Sequence, residues 1–116
     1  MGEEKGHLSG KVVWVTGSSR GIGRVIATHL ADMGADVALH GTTATSTQAF
    51  GEGDSLKEVA SDIAAQSGAH ILPVHGDLTD EGVVSDLVES IRDELGPIDI
   101  LVNCAGGDIG AAGTGA

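Results

Sequence analysis

At 116 residues the chain has the length of one small domain. A formal net charge of −11 sets its surface against nucleic acid and anionic membrane as partners. Its single cysteine, Cys104, excludes an internal disulfide and fits a reducing compartment.

Residues 1–8 read as a polar tail; the opening Met1-Gly2-Glu3-Glu4-Lys5 has no signal-peptide core, and no apolar run approaches the roughly 20 residues of a membrane span. A cytoplasmic location is therefore expected. The apolar run Val12 to Val15 predicts a first strand over 12–16, and Val25, Ile26, Leu30 and Met33 give the apolar pattern of a helix over about 21–33, ended by Gly34. Asp36 to His40 predicts a second strand, followed by a Gly/Thr/Ser-rich connection over 41–53.

A second helix is expected over about 55–67, with Leu56, Val59, Ala60, Ile63 and Ala64 on one face, Ser55 and Glu58 as a capping box and Gly68 as the stop. Ile71 to His75 predicts a third strand. Thr79 is the expected cap of a third helix over about 80–95, whose stripe is Val84, Leu87, Val88, Ile91 and Leu95. Gly96-Pro97 ends it, and Ile98 to Val102 predicts a fourth strand.

The βαβαβαβ alternation implies a doubly wound α/β domain, a parallel sheet with helices on both faces. The near-continuous apolar strands at 12–15 and 100–102 suit positions covered on both sides. Ligands of such sheets sit at the carboxyl ends of the strands. The turn after residue 16, the loop after 40, Asp77 and the 103–107 turn all fall on that rim. Residues 108–116 are Gly/Ala-rich and read as a tail or, in the favoured reading, as the start of a longer loop. Without a continuation, the fourth strand would stand uncovered at a sheet edge.

Thr16-Gly17-Ser18-Ser19-Arg20-Gly21-Ile22-Gly23 carries the most information. Glycines let backbone turn sharply and approach a ligand, and the following helix offers N–H groups and a dipole to an anion. The segment is not a Walker loop, because Gly23 is followed by Arg24-Val25, and it is not G-x-G-x-x-G, whose third glycine would fall on Ile26. Its G-x-x-x-G-x-G spacing resembles the short-chain dehydrogenase/reductase family, whose turn reads T-G-x-x-x-G-I-G. Thr16, Gly17, Gly21, Ile22 and Gly23 match every fixed position. Asp77-Leu78 and Asn103-Cys104-Ala105-Gly106 are similar to two further family features, the acid that contacts adenine and the N-N-A-G turn. Cys104 replaces the second Asn of that turn.

The resemblance implies a Rossmann-type fold with strand order 3-2-1-4 and a cofactor site. That site takes in Thr16, Gly17, Ser18, Ser19, Arg20, Gly21, Ile22, Gly23, Thr42, Asp77, Leu78, Asn103, Cys104, Ala105 and Gly106. An NAD-preferring member carries an acid at the end of the second strand, where this chain reads His40-Gly41-Thr42-Thr43. Arg20 stands where a basic residue often faces the 2′-phosphate, with Thr42 or Thr43 as added donors, so NADP is expected over NAD.

The resemblance further implies a small carbonyl/alcohol substrate, a homo-oligomer, and catalysis by a Tyr, a Lys four residues later, a Ser and an Asn. The chain has no Tyr, and Lys5, Lys11 and Lys57 all lie in its N-terminal half. The catalytic residues are expected downstream of Ala116, within a longer protein. 3-Oxoacyl carrier-protein reductases are among the subgroups resembled. Two alternatives stay open, a non-catalytic nucleotide-binding protein and an inactive truncation product; a methyltransferase is a weaker third, since it too wants an acid after the second strand. No metal is expected: among His29, His40, His70 and His75 no zinc spacing is completed.

Overall fold

The computed structural model describes residues 7–19, 21–42 and 55–104. In chain order these form β1 (Val12–Thr16), α1 (Gly21–Asp32), β2 (Asp36–Gly41), α2 (Leu56–Ser67), β3 (Ile71–His75), α3 (Glu81–Glu94) and β4 (Ile100–Asn103). All strand pairs are parallel and the sheet order is β3-β2-β1-β4, as the alternation and the resemblance imply. The chain leaves β1 towards β2 and β3, then crosses back to place β4 on the other side of β1. The topological switch point therefore lies between β1 and β4, at the end where Thr16 pairs with Asn103.

Alternation along β1 divides the core. Val13 and Val15 join Val37, Leu39 and Ile71 beneath α1 and α2. Val12 and Trp14 join Ala38 and Val74 beneath Leu87 and Ile91 of α3. Every residue of β1 is buried, which accounts for the apolar run from Val12 to Val15. Pro73 has no N–H to give to a ladder and lies in β3, which among the described residues pairs only with β2.

Helix ends follow local chemistry. The Ser55 hydroxyl accepts from the Glu58 amide at 3.2 Å, and the Glu58 carboxylate accepts from the Ser55 amide at 2.8 Å, completing the expected capping box of α2. Gly68 closes α2 with a left-handed φ of 77°. The cap of α3 is Asp80, not Thr79: its carboxylate accepts from Gly82 at 2.9 Å and Val83 at 3.3 Å. Thr79 is already committed, since both its amide and its hydroxyl donate to Asp77, at 2.9 and 2.7 Å.

Two further expectations are corrected. The buried stripe of α1 is Gly23, Ala27 and Ala31, while Val25 is 68% exposed. Small residues at four-residue spacing let α1 lie close to the sheet, with Ile26 and Leu30 packing at its flanks. Strand β4 starts at Ile100 rather than Ile98 and is not covered on both sides: Leu101 is 58% exposed. It pairs with β1 alone among the described residues. Its start is pinned instead by Asp99, whose amide donates to the Val12 carbonyl at 2.8 Å and whose carboxylate accepts from the Val12 amide at 2.9 Å.

No helix of the described residues is long and apolar enough to cross a membrane.

Candidate cofactor site

Parallel strands deliver all their carboxyl ends to one rim, so Thr16–Gly17, Gly41–Thr42, His75–Asp77 and Asn103–Cys104 meet along one edge of the sheet. The turn between β1 and α1 is shaped by its glycines. Gly17 has φ 64°, a left-handed conformation that side chains resist. A Cβ at Gly23 would collide with the Gly17 carbonyl, so the first turn of α1 rests directly on the backbone of the glycine turn. A Cβ at Gly21 would meet nothing within 4 Å among the described residues. The turn is thus closed towards the protein and open outwards, at the N-terminal end of α1 where the helix dipole favours an anion. Ile22 stands 76% exposed beside that opening.

Ser18 lies on the inner side of this turn. Its hydroxyl donates to the Val15 carbonyl at 2.6 Å and accepts from the His40 amide at 2.8 Å, while its own amide donates to the His40 carbonyl at 2.7 Å. Fully buried, Ser18 ties the turn to β1 and β2, and its hydroxyl does not reach the open face. Ser19 is buried as well, and Thr42 is exposed.

The imidazole of His40 completes the same network. Its Nδ1 accepts from the Gly17 amide at 2.9 Å, and its Nε2 lies 2.9 Å from the Gly76 carbonyl. A backbone amide can only donate and a carbonyl can only accept, so the ring is neutral with its proton on Nε2. Burial depresses the pKa of His40; the Gly76 hydrogen bond opposes this shift, and the charge of nearby His75 adds to it. In the sequence His40 stands out only as a polar residue closing an apolar strand. No cluster of three or more His, Cys, Asp or Glu that could hold a metal occurs among the described residues.

At the switch point, Thr16 Oγ1 donates to Asn103 Oδ1 at 2.8 Å and accepts from the Cys104 amide at 3.1 Å. Asn103 thereby joins β4 to β1. On the other flank Asp77 is exposed, and the amide and hydroxyl of Thr79 hold its carboxyl below the usual carboxylate range. Leu78 packs instead against the α3 side of the core. The structure brings Thr16, Gly17, Gly21, Ile22, Gly23, Thr42, Asp77, Asn103 and Cys104 to one rim; Arg20, Ala105 and Gly106 lie outside the described residues.

Comparison with known proteins gives a consistent result. The family profile of the short chain dehydrogenases matches residues 11–114. Glycine betaine reductase ATRR of Emericella nidulans is 46% identical over 102 residues, covering 88% of this chain and 7% of that protein. The 3-oxoacyl-acyl-carrier-protein reductase FabG of Aquifex aeolicus is 41% identical over 99 residues, covering 85% of this chain and 36% of the relative. Among solved structures, L-sorbose reductase from Gluconobacter frateurii, complexed with NADPH and L-sorbose, superposes with a TM-score of 0.74 at 37% identity. That match covers 89% of this chain and 35% of the other. The chain therefore spans little more than a third of the FabG relative and a far smaller part of the betaine reductase.

Proposed function

The chain belongs to the short-chain dehydrogenase family, and from that premise we propose that it is the dinucleotide-holding part of an oxidoreductase moving hydride between NADP(H) and a carbonyl/alcohol pair. The observation that carries this reading is the glycine turn at the switch point, closed inwards at Gly23 and open outwards at Gly21. A dinucleotide pyrophosphate needs such a close, side-chain-free approach to backbone at a helix N-terminus.

In this reading the backbone from Gly17 to Gly23 holds the pyrophosphate, Asp77 flanks the adenine, and the turn from Asn103 to Gly106 lies against the cofactor. The bound nicotinamide supplies or accepts the hydride. NADP is preferred over NAD because no carboxylate follows β2 to repel a 2′-phosphate, Thr42 is exposed there, and Arg20 adds a fixed positive charge. The NADPH complex of L-sorbose reductase supports the same choice. The proton transfer at the substrate oxygen is not assigned to any residue of this sequence, which contains no Tyr. The whole protein is proposed to work as a cytoplasmic homo-oligomer.

The test is to mix the full-length protein with NADPH or NADH and a panel of small ketones and aldehydes, following loss of the reduced nicotinamide. NADPH-dependent turnover that outruns NADH is expected. Saturable NADPH binding without turnover would reduce the function to nucleotide binding. Failure of a folded protein to bind either cofactor would overturn the reading.

A further inference from the structure

We propose that His40 is a positioning residue for the cofactor loop, one that holds the glycine turn in its binding geometry only while the imidazole is neutral. The inference rests on the glycine turn being the dinucleotide site. It concerns a side chain that never reaches the cofactor's face of that turn: His40 is 2% exposed, beneath the turn at the carboxyl end of β2.

Four contacts converge on it. On one side of the ring Nδ1 accepts the Gly17 amide, and on the other Nε2–H donates to the Gly76 carbonyl, each at 2.9 Å. Its own amide and carbonyl are held by Ser18. Gly17 and Gly76 belong to two of the loops that form the rim, after β1 and after β3 respectively, and Gly76 immediately precedes Asp77. The imidazole is therefore a crosslink between the phosphate turn and the adenine-side loop, passing beneath both. The Gly17 peptide is gripped from two directions: its amide by His40, its carbonyl by the close approach of Gly23 at the start of α1. A shift of the Gly17 amide moves the turn against the helix whose N-terminus faces the cofactor.

Only one protonation state satisfies the crosslink. An imidazolium, or the Nδ1–H tautomer, would point an N–H at the Gly17 N–H across 2.9 Å, leaving two donors with no acceptor between them. Protonation must then release Gly17. The groups around the ring make that event depend on His40 itself. From β1 it meets the edge of Trp14, ring centroids 6.4 Å apart, and from the turn it meets Gly17 and Ser18, none of which titrates in this range. From β3 it meets His75, whose positive charge opposes protonation of His40. The Asp77 carboxylate, next to Gly76, is occupied by Thr79.

The experiment measures NADPH affinity of the full-length protein from about pH 8 to about pH 5, with circular dichroism at each point to confirm that the fold persists. One proton weakens binding by no more than about tenfold per pH unit, and a fall of about threefold to tenfold across the range is expected. The cofactor's own 2′-phosphate titrates near pH 6, so the slope is read as a difference between proteins. His40→Asn presents an amide oxygen to Gly17 and does not titrate. It should bind more weakly than the wild type at about pH 8 and show a shallower slope. His40→Phe, with no acceptor, should bind more weakly than His40→Asn. His75→Gln removes the charge that opposes protonation of His40, so its loss of affinity should set in at a higher pH than in the wild type.

Ring nitrogen chemical shifts of the wild type give a readout independent of any variant: the Nε2–H tautomer is expected at neutral pH. The Nδ1–H tautomer there, or equal slopes for wild type and His40→Asn, would overturn the role of His40 while leaving NADPH binding at about pH 8 intact. Absence of binding even at that pH would instead remove the cofactor assignment on which the inference rests.

Discussion

Thr16 and Asn103 meet across β1 and β4 through a hydrogen bond of 2.8 Å, Oγ1 donating to Oδ1, and the same hydroxyl accepts the Cys104 amide. The pair closes the switch point of the sheet, beside the glycine turn. Thr16→Val keeps the shape and removes the hydroxyl, so both Asn103 and Cys104 lose a partner at a site where Thr16 is almost wholly buried. A loss of about 1–3 kcal/mol is expected, seen as a lower melting temperature. An unchanged melt would show that the tie does not support the sheet.

Gly21 and Gly23 separate stability from binding. Gly23→Ala forces a methyl against the Gly17 carbonyl backbone and should cost about 1–3 kcal/mol or more together with cofactor affinity. Gly21→Ala meets no atom, and its left-handed φ of 63° should cost about 1–2 kcal/mol. Its methyl nevertheless enters the open face of the turn, so cofactor affinity should fall steeply. Chemical denaturation alongside cofactor titration checks both, and Gly21→Ala with wild-type affinity would place the pyrophosphate elsewhere.

Arg20→Ala should weaken NADPH binding by about tenfold to a hundredfold, the range of a lost charge-assisted hydrogen bond, and barely alter NADH binding. Equal losses for both cofactors would remove the 2′-phosphate role.

Stability should respond to pH through His40. Its pKa in the folded chain lies below the ordinary value of about 6.5, so the unfolded chain binds the proton more readily. The stabilisation from the neutral ring is fully present above about pH 6.5 and is lost as pH falls towards the depressed value, by at most about 1.4 kcal/mol per pH unit. Denaturant midpoints measured across that window should fall with pH for the wild type and less for His40→Asn. Parallel curves would show that another group carries the dependence.

Much of this was legible in the sequence because its signals are local. The spacing of Gly17, Gly21 and Gly23, the Ser55–Glu58 box and the apolar stripe of α3 each announce themselves within a few residues. The parallel sheet followed from alternation, and its strand order from the resemblance carried by the turn. The less legible features depend on partners distant in the chain or on competition between neighbours. His40 acts on backbone groups 23 and 36 residues away, which have no side-chain identity to read. Thr79 looks like a helix cap until Asp77 claims its hydroxyl. Val25 fits a helical period, but the close packing of Gly23, Ala27 and Ala31 against the sheet turns it outwards. Ser18 sits within the binding motif, yet its hydroxyl serves the framework beneath it.

The central claim, that the turn from Thr16 to Gly23 holds a dinucleotide, is tested most directly by calorimetric titration of NADPH into the full-length protein and its Gly17→Val variant. Saturable binding by the wild type, tighter than for NADH and lost in a Gly17→Val protein that keeps its secondary structure, is the predicted result. Undiminished affinity in that variant, or no binding by the folded wild type, would contradict it.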